Sequence, residues 1–340
     1  YAALDYDLAP ATTVGLAASH VKAHGRPTFI GLPRYADGSE LPLPRSTFTG
    51  ADWNRSQVEQ STVYLDLEHH VTTQWSLKAS ALGMNESTSS THQRTAFKIN
   101  PDGSGARYGD FSTDFDNRKR GIDAFVRGKF DALGIAQEVV AGASYVSFTS
   151  NDRYARAWET GADIFNINHH RPWQDFDTIA ARPAGVTSYS TYDMRQKGLY
   201  ATWNGQLTGN LKALLGGRFN WYDFLYATPD GYRDATRATA RFTPSVGLIH
   251  ALTPQWSAYA SYADVFQPQT NHDVAGRTLK PITGSSYEGG IKGELLEGRV
   301  NTSLAVFRYD HKDRAVTDYA AGFACDGWYC SRASGKVRSQ

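Results

Sequence analysis

The sequence predicts an all-β chain folded as an antiparallel, up-and-down transmembrane β-barrel. Three observations predict it: side chains alternate with a period of two, short turns alternate with long connections, and aromatic residues gather at strand ends. A residue and its next neighbour on a strand point to opposite faces, so a half-apolar strand shows this alternation.

Taken in order, the segments repeat one pattern. Over 122–131, Ile122, Ala124, Val126, Gly128 and Phe130 share one face, while Asp123, Arg127, Lys129 and Asp131 share the other. Over 199–207, Leu199, Ala201, Trp203, Gly205 and Leu207 oppose Tyr200, Thr202, Asn204 and Gln206. Over 213–221, Ala213, Leu215, Gly217, Phe219 and Trp221 oppose Arg218 and Asn220. Over 287–295, Tyr287, Gly289, Ile291, Gly293 and Leu295 alternate with Glu288, Gly290, Lys292 and Glu294. No long amphipathic helix interrupts them.

The connections are sorted by length. Short turns are expected at 9–12, 70–73, 132–135, 207–210, 253–255 and 296–298. Between them lie polar connections rich in Gly, Pro and aromatic residues, at 25–55, 98–117, 150–195, 227–237, 267–285 and 313–335. In an up-and-down sheet alternate turns lie at one end, so one rim collects short turns and the other long loops, as in an outer-membrane barrel. Tyr64, Trp75, Trp221, Tyr222, Trp256, Tyr259, Tyr262, Phe307 and Tyr309 fall near strand ends, where interfacial girdles place aromatic rings. Two strands per short turn gives about twelve, with a thirteenth beginning near 335–340. Residues 1–340 thus read as an incomplete barrel domain, since lipid tolerates no open sheet edge. Tyr1 opens directly on an alternating segment, so a targeting sequence is expected outside this chain.

Composition narrows the function. The 35 basic and 34 acidic side chains nearly cancel, which speaks against a nucleic-acid partner. No apolar run reaches the length of a transmembrane helix. With 19 Tyr, 16 Phe and 8 Trp the chain is too aromatic to be disordered. The two cysteines, Cys325 and Cys330, enclose four residues and are expected to form a disulfide-closed loop, implying an oxidising compartment.

No catalytic constellation stands out: there is no nucleophile elbow, phosphate loop or zinc-binding helix, so no enzyme is expected. Asp123, Asp131, Glu288 and Glu294 fit a hydrated lumen, and Glu288 and Lys292 share a strand face. His69 and His70 are adjacent on a strand and cannot chelate one ion; His169 and His170 lie in a long connection without further ligands nearby. No metal site is therefore expected. The richest segment is 150–195, where Tyr154, Trp158, Phe165, His169, His170, Trp173 and Phe176 interleave with Arg153, Arg156, Arg171 and Arg182. Aromatic faces beside cations suit a flat, oxygen-rich, partly anionic ligand. The ligand-binding residues expected from composition and placement are Trp158, Trp173, Tyr222, Trp328 and Arg171.

Residues 256–314 carry a resemblance. The strand WSAYASYADVFQPQ at 256–269, the hairpin LKPITGSSYEGGIKGELLEGRVN at 279–301 and the AVF at 305–307 resemble the barrel signature of TonB-dependent ferric siderophore receptors. Ile282 stands where many members have Glu, a minor departure. The layout is similar along essentially the whole chain. Within the family it looks most like the ferric hydroxamate and ferripyoverdine group, and the likeness extends to the ferric alcaligin receptor. The resemblance implies a 22-stranded barrel with an N-terminal plug that is absent from this chain. It implies a TonB-ExbB-ExbD partner engaged through a TonB box, also absent, and a multi-pass place in the bacterial outer membrane among lipid and lipopolysaccharide. The expected cargo is a ferric siderophore of hydroxamate type. Its iron is carried by the ligand, with no covalently bound cofactor. Competing readings are a passive porin, a TonB-dependent receptor for haem or cobalamin, and a secreted all-β carbohydrate-binding protein.

Overall fold

The computed structural model describes residues 1–27, 31–322, 324–325 and 329–340. Thirteen strands form one sheet in sequence order, each hydrogen-bonded to the next, the last step passing over a separate hairpin. They are β1 (Ala2–Ala9), β2 (Thr12–Gly25), β3 (Arg55–His70), β4 (Trp75–Ala96), β5 (Arg107–Ala132), β6 (Ile135–Glu159), β7 (Val186–Gln206), β8 (Leu211–Ala227), β9 (Arg233–Ala251), β10 (Trp256–Gln267), β11 (Ile282–Leu295), β12 (Val300–Lys312) and, last in order, β15 (Lys336–Ser339). A small hairpin of β13 (Ala315–Thr317) and β14 (Ser331–Ala333) stands apart within the final connection, and the one short α-helix among the described residues is α1 (Phe176–Ala180). Among the described residues no helix is long and apolar enough to cross a membrane.

Register explains why the sheet has two chemically different faces. Residues directly opposite one another across strands share a face. One ladder joins Tyr6, Val14, Leu67, Ala79, Ala124, Ala143, Leu199, Phe219 and Phe242. The ladder one residue along joins Asp5, Gly15, Asp66, Ser80, Asp123, Ser144, Gly198, Asn220 and Arg241. A lipid-facing wall wants the first set, and a hydrated lumen holds the second without cost. Trp75 stacked on Phe130, rings 6.2 Å apart, closes the apolar band at the short-turn end.

The short turns fall at the expected places, and two share a device. Thr72 Oγ1 accepts from the backbone N–H of Gln74 and Trp75, and Thr253 Oγ1 from that of Gln255 and Trp256, at 3.0–3.2 Å. The 132–135 turn has Leu133 and Gly134 both at positive φ, 55° and 74°, the conformation that joins twisted strands through two residues.

The long connections are shorter than the sequence predicts. β5 begins at Arg107, β6 runs to Glu159 and β7 starts at Val186, so the expected 98–117 and 150–195 loops contract to 97–106 and 160–185. Likewise 227–237 contracts to 228–232. The physical reason is that these strands, up to 26 residues long, outrun the bilayer. Beyond it neither face needs to be apolar, so the alternation fades while the backbone ladder continues.

Most of the buried apolar side chains sit in this outer extension; Ala213, near the short-turn end of β8, is an exception. Leu41, Ile99, Ala106, Tyr108, Ala162 and Ile164 pack together, joining connections 26–54, 97–106 and 160–185 into one cap. Ala155, Ala157 and Ile179 form a second cluster that seats α1 on β6.

Candidate functional site

The lumen face of the outer extension carries an aromatic and cationic wall. Pairing of β4 with β5 and β6 sets His92 beside Phe111 and Arg156, and Arg94 beside Gly109 and Trp158. The Arg94 guanidinium lies 4.9 Å from the Phe111 ring and 5.6 Å from that of Trp158. Phe111 and Phe97 meet Trp158 edge-on, at 5.5 Å and 4.8 Å. His92 stacks on Phe111 at 5.2 Å. Gly109 makes the close packing feasible, because a Cβ there would stand 2.5 Å from the Trp158 ring. Burial pulls the His92 imidazole down to about 4, with the Arg94 charge acting in the same direction. This ring is therefore neutral at physiological pH and stacks as an aromatic.

Deeper on the same face, β7 and β8 supply an aromatic tract. Tyr222 stacks on Phe224 at 6.4 Å, Phe224 meets Tyr192 at 6.1 Å, and Tyr192 meets Tyr226 at 5.2 Å. Tyr226 in turn reaches Tyr232 in the 228–232 connection, at 6.0 Å. Toward the short-turn end the lumen becomes polar. Tyr200 donates to Asp123 at 2.8 Å, and Arg218 donates to Ser144 at 2.6 Å. Tyr259 donates to Glu288 while the Lys292 ammonium stands 5.0 Å over its ring, so the two charged residues expected to share a face are joined through a tyrosine.

Four of the five expected site residues divide by face. Trp158 and Tyr222 both face the lumen; the ladder places Tyr222 opposite Gln196 and Val146, twelve positions along β6 from Trp158. Arg171 and Trp173 lie on the outward flank. There Arg171 pairs with Glu159 at 2.7 Å and covers the Tyr108 ring at 3.9 Å. Trp173 meets Trp53 edge-on at 5.2 Å and lies under the Arg55 guanidinium at 4.2 Å. Trp328 lies outside the described residues.

That flank is held by ions. Arg182 donates to Asp110 at 2.6 Å and to Gln174 at 2.5 Å, and Asp110 is completely buried. Burial pushes the Asp110 carboxyl up, opposed by the guanidinium of Arg182. The histidine pairs do not converge on a common point: His69 bonds Thr12, His70 faces Glu68, His169 bonds the Gly50 carbonyl and His170 pairs with Asp52. Among the described residues no three metal-ligating side chains gather.

At the last connection Cys325 and Cys330 form the disulfide, with Cα atoms 5.1 Å apart. It sits beside β13–β14, whose connection is tied to 268–281: Gln269 donates to the Asp313 carbonyl and accepts from the Ala315 N–H. Sequence reading missed Arg94, Phe111, Tyr192, Phe224 and Tyr226. Phe111 and Tyr192 stand in segments that read as loops, and only cross-strand register aligns the others.

Against known proteins, residues 5–340 match the family model described as TonB dependent receptor-like, beta-barrel. The ferric-pyoverdine M114 receptor PbuA of Pseudomonas sp. (strain M114) is 36% identical, over 100% of this chain and 42% of its own length. The ferripyoverdine receptor of Pseudomonas aeruginosa is 31% identical over 94% of this chain and 39% of its own. A crystal structure of that receptor bound to ferripyoverdine superposes with a TM-score of 0.82 at 27% identity, covering 99% of this chain and 44% of that one. The alcaligin receptor FauA from Bordetella pertussis shares the fold at 22% identity, with a TM-score of 0.60, covering 99% of this chain and 47% of that one. The chain thus spans less than half the length of these relatives.

Proposed function

The chain belongs to the TonB-dependent receptor family, as part of its outer-membrane barrel, and from that premise we propose that the whole receptor captures a ferric siderophore and passes it to the periplasm. The observation that carries this reading is the lumen-facing track, from Trp158, Phe111 and Arg94 at the outer rim to Tyr192, Phe224 and Tyr222 below. Aromatic faces take up the flat parts of a ligand, and guanidinium groups donate to anionic oxygens at modest desolvation cost. A hydroxamate-containing ferric siderophore has both features, and the relatives are named for ferric pyoverdines. The iron travels as cargo, held by the ligand's own oxygens.

In this reading the barrel is completed by strands outside this chain and filled by a plug, and TonB with ExbB and ExbD drives release. The outward placement of Arg171 and Trp173 gives them a different part: they brace the rim through Glu159, Tyr108 and Arg55 while Trp158 and Tyr222 meet the ligand.

The test is a tryptophan-fluorescence titration of the full-length receptor in detergent with ferric and iron-free siderophores, haem and cobalamin. Saturable quenching that prefers the ferric siderophore, and that shrinks in Trp158→Phe, is the expected outcome. No quenching by any ferric siderophore, or stronger quenching by haem or cobalamin, would remove this cargo.

A further inference from the structure

On the outward flank of the outer extension, four polar atoms are buried without a hydrogen-bond partner among the described residues: Gln93 Nε2, Thr95 Oγ1, Asp110 Oδ1 and Arg171 Nε. Register brings three of them together. Gln93 on β4 lies directly opposite Asp110 on β5, and Thr95 lies two residues along β4, opposite Tyr108. All three side chains therefore leave the same face of the sheet. The fourth comes from the 160–185 connection. The Arg171 guanidinium covers the Tyr108 ring at 3.9 Å and donates to Glu159 on β6 through its two outer nitrogens, at 2.7 and 3.1 Å. Its Nε–H is the donor that remains.

This corner is closed to solvent. Gln93 and Thr95 are each 1% exposed and Asp110 not at all. The 26–54 connection packs beside it: Asn54 exchanges hydrogen bonds with the Gln93 backbone at 2.7 and 2.8 Å, and the Thr95 N–H donates to the Thr49 carbonyl at 2.7 Å. Trp53 Nε1 donates to the Arg171 carbonyl at 2.9 Å, so the 26–54 and 160–185 connections meet here. Arg182 takes the other Asp110 oxygen, at 2.6 Å. Native proteins pair nearly all buried polar atoms, because an unpaired one loses its hydration with nothing in return. Gln93 and Arg171 have N–H groups to give and Asp110 has an oxygen to receive them, yet none of these atoms bonds another.

We propose that these four atoms bind one buried water molecule, which joins the 160–185 connection to β4 and β5. The balance of donors and acceptors selects it. Gln93 Nε2 and Arg171 Nε each offer an N–H, Asp110 Oδ1 only accepts, and the Thr95 hydroxyl accepts as well. A water accepts twice and donates twice, which matches this set, and interior waters hold two to four such partners. A metal cation would face two N–H groups, with the guanidinium charges of Arg171 and Arg182 beside it. An anion would meet the Asp110 carboxylate, and an ammonium ion would find too few acceptors. Through the water Arg171 is tied to β4 in addition to Glu159 on β6, which makes it a positioning residue for its connection. The proposal rests on the register of β4 and β5 and is independent of the cargo.

The test is a high-resolution crystal structure of the full-length receptor, from crystals with and without thallium(I), together with limited proteolysis of the 160–185 connection. One density peak is expected, about 2.7–3.2 Å from each of the four atoms and without the anomalous signal of thallium. Thr95→Val keeps the shape of the side chain but removes its hydroxyl, and should speed cutting about fivefold. Thr95→Ser keeps the hydroxyl and should cut like wild type. Direct contacts among the four atoms with no peak between them would overturn the proposal, as would an anomalous signal at the peak. Equal cutting of Thr95→Val and Thr95→Ser would do the same. If Thr95→Val fails to assemble, the wild-type density alone decides.

Discussion

At residue scale, the position of Trp158 depends on what Gly109 lacks. A side chain at 109 would stand 2.5 Å from the indole, so Gly109→Val must tilt it away from Arg94 and Phe111. The expected outcome is a ferric siderophore affinity lowered about tenfold, with thermal unfolding shifted little, checked by the fluorescence titration and by calorimetry. His92 makes a pH prediction. It lies beyond the apolar band, and its folded value of about 4 is below the 6.5 of an unfolded histidine. Between these values the unfolded chain takes the proton first, so the stability from neutral His92 is complete above about pH 6.5 and is lost as pH falls toward 4. Replacing it by Phe should flatten that limb of the melting-temperature profile; an unchanged slope would show that His92 is not its source. Trp158 was legible as an aromatic beside arginines, but its face was not, because a segment read as a loop has no face to assign.

At element scale, the alternation that marks each strand is legible only where one face meets lipid. Ile122, Ala124 and Val126 announce β5, whereas Asp110, Ser112 and Asp114 on the same outward face continue it unannounced. This explains why Arg171 and Trp173 grouped with Trp158 in sequence but are divided from it by the sheet. The 160–185 connection folds over the rim and is fastened on the outward flank by Arg182 against buried Asp110. Arg182→Ala would leave that carboxylate buried and unpaired, a loss of about 3 kcal/mol, whereas the further change Asp110→Asn should restore part of it. Limited proteolysis of the connection measures this, and equal cutting of wild type and Arg182→Ala would refute it. The turns make a smaller claim. Thr253→Ala removes the acceptor for the Gln255 and Trp256 amides and should cost about 1 kcal/mol of unfolding free energy.

At the scale of the whole molecule, a step of one residue along a strand exchanges lipid for water within the membrane band. Ala79 lies on the ladder of Leu67, Ala124, Ala143 and Leu199, while Ser80 lies between Asp66 and Asp123. The same substitution at adjacent positions must therefore have opposite consequences. Ala79→Arg places a guanidinium in the lipid band and should cost about 2–3 kcal/mol when the full-length receptor is unfolded from lipid vesicles. Ser80→Arg puts the same group in a hydrated lumen opposite two carboxylates and should stay within about 0.5 kcal/mol of wild type. Equal costs at the two sites would mean that the apolar ladder does not face lipid. The outward assignment of Arg120, Lys197 and Arg237 would fall too, because it rests on the same register. The siderophore track would be displaced with it, since Trp158 and Tyr222 face the lumen only if Ser80 does.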